Sequence, residues 1–456
     1  MLAFPRQTGP APLGHGKSQP TGAERCYTRN MHIYFSGLGG VGIGPLAEIA
    51  HQAGYIVSGS DLARSLMTDQ LERQGIAVTI GQDGSQIASA HAKNPIDWFV
   101  YTAALPEGHP ELIYARDHGI RTSKRDELLA HIIKEKDLKL IAVAGTHGKT
   151  TTTGMLVWAA QQLNIPISYS IGTTISFGPS GLYDPKSRYF IYECDEYDRN
   201  FLRFHPWASI ITAVDHDHID TYPTENEYYA AFDQFMRQSE LVIVWQEDCG
   251  DLSQVLGEKN HLHLIDKAQK QSDGSLDSMP LVGQHNRENS YLVKTLLVDH
   301  LGVNDARATD ILADFPGTDR RMEKLTDNLY SDYGHHPAEI SATLQLAREL
   351  SNHVVLVYQP HQNTRQHDVR DEYRDSMVLA EKIYWLPTYL TREDESLEVL
   401  APAQLISGLS NSGAAEPAEL DDNLWDAIQS HRSAGHLVLV MGAGTIDAWV
   451  RDRLTR

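Results

Sequence analysis

The chain has 456 residues, 41% of them hydrophobic and 22% charged, with a formal net charge of −21. That length exceeds one ordinary core and that hydrophobic fraction excludes global disorder, so two or three domains are expected. Such an acidic chain lacks the clustered Lys and Arg that nucleic acid or an anionic membrane requires, which leaves room only for a local basic site around a small anion.

Residues 1–30 are rich in Gly, Pro, Gln and Arg and contain no apolar stretch of the kind a secretory signal needs. Met31 stands directly before a strand-like run, 32–36, so folded structure is expected to begin there, with 1–30 a disordered leader or a misassigned start. From Met31 onward, short β-branched or aromatic runs alternate with amphipathic helical stretches, the pattern of βαβ units and parallel sheets. The first block, 31–136, carries strands near 32–36, 55–58, 76–80 and 97–102 and a last helix near 125–134. Its first strand runs into Gly37-Leu-Gly-Gly-Val-Gly42, and Asp61 ends the next strand. With Gly37, Gly39 and Gly42 in GxGxxG spacing, Gly40 beside them and an acid about 20 residues on, this is a dinucleotide fingerprint. The same turn cradles any diphosphate, so NAD and a nucleotide-linked substrate both stay open. The charged stretch 134–139 reads as a linker.

The second block, 137–315, opens with an apolar strand near 138–144 that runs straight into Gly145-Thr146-His147-Gly148-Lys149-Thr150 and then Thr151. A helix with apolar Met155, Trp158, Ala159 and Leu163 follows. Strand, glycine turn and helix N-terminus are what a phosphate loop needs, because backbone N–H groups then point at phosphate oxygens. Lys149 is placed to neutralise the β- and γ-phosphates of ATP and Thr150 to ligate Mg2+. The spacing is GxxGKT, two residues shorter between the glycines than GxxxxGK[ST]. Further strands are expected near 189–193, 208–214 and 241–245, and helices around 287–313. Glu193-Cys-Asp-Glu-Tyr-Asp198 follows the first of these, where parallel sheets bind ligands, and offers the hard oxygens that Mg2+ takes; a solvated acidic loop is the plainer alternative. Asp215-His-Asp-His-Ile-Asp220 follows the second and serves either a metal site, the γ-phosphate or a structural cap; a tetrahedral zinc set is incomplete.

The third block, 316–456, has strands near 328–332, 353–358, 382–386 and 436–441 and a final helix from about 446. Polar clusters fall at its strand ends, and Arg320, Arg321 and Arg365 are candidates to clamp phosphate or carboxylate. The three cysteines, Cys26, Cys194 and Cys249, are scattered without a CxxC pair, which fits a reducing cytoplasm. No apolar run approaches the roughly 18–20 residues of a membrane span.

GTHGKTTTT (145–153), DHDHIDTY (215–222), HNRENS (285–290), DYGHHPAEI (332–340) and YQPHQNTR (358–365), in this order, resemble the Mur ligase family, and the resemblance covers nearly everything from Met31 onward. It implies an α/β fold of three domains: a Rossmann-like N-terminal domain for a UDP-sugar, a central P-loop ATPase domain with a mainly parallel sheet, and a Rossmann-like C-terminal domain for the amino acid. It also implies chemistry. ATP phosphorylates the lactyl carboxylate of UDP-N-acetylmuramate to an acyl phosphate, the amine of L-alanine attacks, and phosphate leaves, a step of peptidoglycan precursor synthesis. Carried over, Lys149 holds the phosphates, Thr150 and Glu193 share one magnesium ion, and His218 with Glu193 binds a second. Asn286 reads adenine, Arg320 and Asp332 close on the nucleotide with Arg320 near the γ-phosphate, and His336 and Arg365 face the amino acid. The turn Gly37–Gly42 takes the UDP diphosphate. ATP and Mg2+ are the implied cofactors, the partners are small molecules, and a monomer or homodimer is expected. The chain departs from the family at Tyr197, usually Ser in the alanine-adding member, at Ala213, commonly Asn, and at Gln362-Asn363, usually Arg-Tyr. Attachment of an L-Ala-γ-D-Glu-diaminopimelate tripeptide to the same sugar is the alternative that Tyr197 favours, and a non-catalytic UDP-sugar binder is another.

Overall fold

Three sheets follow one another along the chain. The computed structural model describes residues 30–102, 105–218, 221–249, 261–391, 393–394 and 396–455, so residues 1–29 of the expected leader, and Asp220, lie outside the described residues. The first sheet contains β1 (His32–Ser36), β2 (Ile56–Asp61), β3 (Ala77–Ile80), β4 (Trp98–Tyr101) and β5 (Arg121–Lys124), all parallel, in the order β3-β2-β1-β4-β5. The central strand β1 is buried throughout, as expected where helices cover both faces.

The second sheet is built from β6 (Lys139–Ala144), β7 (Ile167–Ser170), β8 (Gly181–Leu182), β9 (Tyr189–Glu193), β10 (Ala208–Ile211), β11 (Val242–Trp245) and β12 (Leu262–Ile265). Its order is β12-β11-β10-β6-β9-β7-β8, and only the β7–β8 pair is antiparallel. The third sheet has β13 (Glu323–Thr326), β14 (Leu329–Asp332), β15 (Val354–Tyr358), β16 (Lys382–Trp385), β17 (Ala415–Pro417) and β18 (Leu437–Met441) in the order β13-β14-β18-β15-β16-β17, with an antiparallel hairpin at β13–β14. The expected three-domain α/β fold, with a mainly parallel central sheet, is what the chain adopts.

Some boundaries moved for visible reasons. The strand expected to reach 214 stops at Ile211. There the Thr212 hydroxyl donates to Ala144 O at 3.3 Å and also to His147 O, which turns the chain onto the glycine loop. The helices expected around 287–313 are Gln284–Thr295, which starts three residues earlier, and Asp305–Ala313.

One apolar cluster runs from the first sheet (Ile33, Phe35, Trp98) through Leu129 and Ile133 to one face of the second (Leu140, Ala142, Phe190). The other face of the second sheet packs on Met155, Leu156, Leu292 and Ile311, and the third sheet has its own cores on its two faces. The first two domains therefore share a core, whereas the third is joined to them largely through polar contacts, the arrangement that permits relative motion.

Candidate active site

The carboxyl end of β6 leads into the glycine turn, which opens the helix Lys149–Gln162. Gly145 has φ 136, and a Cβ there would come 2.3 Å from Thr212 Oγ1; Gly148 has φ 83 at the helix cap. Neither position accommodates a side chain, so the turn needs both glycines. Thr146 N donates to Ala213 O at 2.8 Å, and Asp215 N donates to Thr146 Oγ1 at 2.9 Å. Ala213 thus supports the loop with its backbone, a role that does not depend on the Asn expected there.

Lys149 Nζ lies 2.9 Å from Glu196 Oε2 and donates to Gly145 O at 2.5 Å. Burial opposes its charge, but Glu196, Asp195 and Glu193 hold its pKa above the ordinary lysine value. Thr150 Oγ1 donates to Glu193 Oε1 at 2.6 Å, and Gly172 N donates to Glu193 Oε2 at 2.9 Å. The structure brings Thr150 to Glu193 as expected, but His218 sits on Glu196, at 3.5 Å, rather than on Glu193. Ligand atoms of Asp195, Glu196 and His218 all lie within 4.8 Å of one another. Carboxylates, a hydroxyl and one imidazole beside a phosphate loop form a donor set that fits a hard divalent cation.

A cavity of about 1190 Å³ opens over this loop and is lined from all three domains: Val41, Gly42 and Arg125 from the first, Lys149 and Glu193 from the second, Arg365 from the third. A second cavity, about 420 Å³, lies between the second and third domains and includes Thr151, Ala213, Asn286 and Asp332. His147, Arg321 and Glu339 line both. Glu339 Oε1 is 3.5 Å from His147 Nδ1 and 3.7 Å from Arg321 Nη1, and Glu339 Oε2 accepts from the backbone N of His335 and His336 at 2.9 and 3.2 Å. Burial would raise this carboxyl, yet the hydrogen bond from His147 and the charges around it hold it well below the usual carboxylate range.

Arg320 also lines the larger cavity, but its Nη2 donates to Gly442 O at 2.8 Å, its Nε lies 3.6 Å from Asp447, and its guanidinium covers the Tyr333 ring. Asp332 Oδ2 accepts from Met322 N and Oδ1 from Gly334 N, so it braces the backbone on either side of Arg321 and Tyr333. Asn286 Nδ2 donates to Val282 O at the rim of the smaller cavity. Beside it the half-buried His285 has no partner for its Nδ1, and desolvation with Arg321 nearby pushes its pKa down to about 4, so it is neutral.

On the far side of the larger cavity, His336 caps the helix Pro337–Leu350, with its ring 5.3 Å from that of His147. Arg365 Nη2 lies 3.1 Å from Asp217 Oδ1. Burial acts to raise Asp217, but Arg365 and His218 bring it down to about 2. In the first domain, Gly39 N donates to Asp61 Oδ2 at 2.7 Å, so the acid of the fingerprint holds the glycine turn itself. Gly37 and Gly40 are bonded inside that turn, while Gly42 faces the cavity.

The sequence carried Glu196, Glu339 and His285 inside its motifs without giving them roles of their own, and the place near the γ-phosphate that the family resemblance gives Arg320 is not the one its contacts favour: Arg320 is held by Gly442 O and Asp447, whereas Arg321 lines both cavities beside Glu339. One signal for Glu339 was present: His336 and Glu339 have capping-box spacing, which binds the glutamate to the helix start. Lys124, which pairs with Asp198 across domains, had no signal in the sequence.

Family models match three successive segments: Mur ligase family, catalytic domain, at 32–137; Mur ligase middle domain at 143–273; and Mur ligase, glutamate ligase domain, at 320–444. Among curated relatives, the UDP-N-acetylmuramate–L-alanine ligase of Psychrobacter cryohalolentis is 30% identical, covering 92% of this chain and 93% of its own length. Its namesake from Coxiella burnetii is 31% identical, covering 92% and 96%. Among solved structures, the UDP-N-acetylmuramate–alanine ligase of Thermotoga maritima superposes with TM-score 0.71 at 25% identity over 94% of this chain and 99% of that one. A murein peptide ligase of Psychrobacter arcticus shares the fold, with TM-score 0.65 at 24% identity over 93% and 98%. Among the described residues no helix is long and apolar enough to cross a membrane.

Proposed function

The chain belongs to the Mur ligase family of ATP-dependent ligases, and we propose that it joins L-alanine to the lactyl carboxylate of UDP-N-acetylmuramate through an acyl phosphate. The observation that carries this proposal is one cavity, lined by all three domains, in which three of the cations sit beside carboxylates: Lys149 on Glu196, Arg321 on Glu339 and Arg365 on Asp217. Phosphoryl transfer between two anions needs cations gathered around the γ-phosphate, and these are poised to exchange a carboxylate for substrate.

ATP lies with its base in the smaller cavity, where the neutral His285 and Asn286 offer polar edges to adenine. Its phosphates cross at His147, Arg321 and Glu339 into the larger cavity, above Lys149. The UDP diphosphate meets the turn Gly37–Gly42 that Asp61 holds. Thr150, Glu193 and the Asp195–Glu196–His218 group would hold Mg2+, which would offset phosphate charge. The sugar carboxylate oxygen attacks the γ-phosphorus, the bond to the β-phosphate breaks and ADP leaves, with Lys149 and Arg321 stabilising the charge that develops. Arg365 and His336 orient the amine substrate, whose nitrogen attacks the acyl carbon and releases phosphate. Meeting of the three domains around the cavity excludes the water that would hydrolyse the acyl phosphate.

A second amine is favoured by Tyr197, which resembles the tripeptide-attaching member of the family, and by Gln362, which lines the cavity with φ 61 where an arginine is usual. ADP release with UDP-N-acetylmuramate, ATP and Mg2+ decides between them. Turnover with L-alanine is expected; turnover with L-Ala-γ-D-Glu-diaminopimelate alone would replace L-alanine by the tripeptide, and none with either would leave a sugar-binding protein.

A further inference from the structure

We propose that Tyr197 is a positioning residue, braced by the N-terminal domain, that aims the His218 imidazole at the phosphate site; this rests on the function proposed above. Three neighbouring residues with side chains adopt left-handed backbone: Asp198 and Arg199 at φ 54 and 56, and His218 at φ 59. L-residues rarely adopt that region, and such outliers persist where surrounding contacts over-determine them. The contacts here are identifiable. Lys124, the last residue of β5 in the first domain, forms an ion pair with Asp198. Arg199 lies 5.0 Å over the Tyr222 ring, and Tyr222 OH donates to Glu196 O at 2.6 Å. Tyr197 N donates to Asp195 Oδ1 at 3.1 Å.

The strained turn leaves one side chain facing the cavity. The Tyr197 ring meets the His218 ring edge to face, with centroids 5.2 Å apart and planes at 67°. Behind it, His218 Nε2 faces Glu196 Oε1 at 3.5 Å, and Glu196 in turn holds Lys149. Tyr197 thus links the first domain to the His218 ring, beside the direct pairing of Arg125 with Asp195 at 3.9 Å. A serine has no ring to restrain the imidazole, so the departure at this position changes how His218 is held.

The test uses Mn2+ as the probe, its binding to the full-length chain followed by electron paramagnetic resonance with a non-hydrolysable ATP analogue present and no turnover. Tyr197→Phe keeps the ring and is expected to bind Mn2+ within about twofold of the parent, whereas Tyr197→Ser weakens it about 3- to 10-fold, the range of an aromatic pair. Lys124→Met, remote from both rings, weakens it in the same direction. Binding of the analogue in EDTA stays unchanged in all three, which a general structural defect would not allow. Mn2+ affinity unaltered in Tyr197→Ser, or in Lys124→Met should the serine variant not fold, overturns the proposal. Absence of Mn2+ binding in the parent would instead overturn the phosphate-site assignment itself.

Discussion

Replacing Arg321 by alanine separates two adjacent arginines, of which the family resemblance points to Arg320 for the γ-phosphate and the contacts point to Arg321. Arg321 lines both cavities beside Glu339, whereas Arg320 is committed to Gly442 O and Asp447 within its own domain. If Arg321 meets the γ-phosphate, its loss removes one pre-organised donor from the transition state, which costs about 3–4 kcal/mol, or roughly 10²- to 10³-fold in kcat. Arg320→Ala removes a backbone contact and a cation–π contact instead, and lowers kcat by less than about tenfold. Arg321→Lys restores charge without the planar fork and falls between. Steady-state ADP release at saturating substrates measures all three, with thermal melting as a control because Arg321 also offsets Glu339 and Asp332. A near-normal rate for Arg321→Ala together with a severe loss for Arg320→Ala would refute the assignment.

Lys149→Ala abolishes turnover while UDP-sugar binding, followed calorimetrically, survives; equal loss of both would undo the separation of sugar and phosphate sites. Asp61→Ala frees Gly39 N and raises the KM for UDP-sugar with kcat little changed, so a selective kcat effect would contradict a role confined to the turn. Asp217, held at about 2 against an ordinary 3.8, stabilises the native state above about pH 4 and loses that contribution as pH falls toward 2. Asp217→Asn should therefore lose less stability than the parent across that window, by on the order of 2 kcal/mol, and equal acid sensitivity would count against the pairing with Arg365. ATP analogue and UDP-sugar together should contract the scattering profile, since the third domain has its own core; an unchanged profile would exclude closure.

The strands that were legible are those with apolar or aromatic runs. β6 and β15 are examples, because full burial on both faces demands such runs. β5 reads Arg-Thr-Ser-Lys and lies at a sheet edge, as do Glu-Lys-Leu-Thr of β13 and Ala-Glu-Pro of β17, where neighbours on one side suffice and no run is needed. The glycine turn 145–148 was legible because backbone geometry dictates its glycines. The partners of its side chains were not: Arg365 and Asp217 are 148 residues apart, and only tertiary packing brings them to 3.1 Å. The resemblance pointed to Arg320 rather than Arg321 because which of the two is left beside Glu339 is decided by the turn before β13, where Arg320 and Met322 have φ 55 and 48.

The most direct test of the central claim is oxygen transfer. UDP-N-acetylmuramate labelled with ¹⁸O in its lactyl carboxylate is incubated with the chain, ATP, Mg2+ and L-alanine, and the released phosphate is examined by ³¹P NMR. Attack of the carboxylate on the γ-phosphorus followed by amine attack on the acyl carbon predicts one labelled oxygen in each phosphate released. Unlabelled phosphate, or AMP in place of ADP, would contradict an acyl-phosphate ligase.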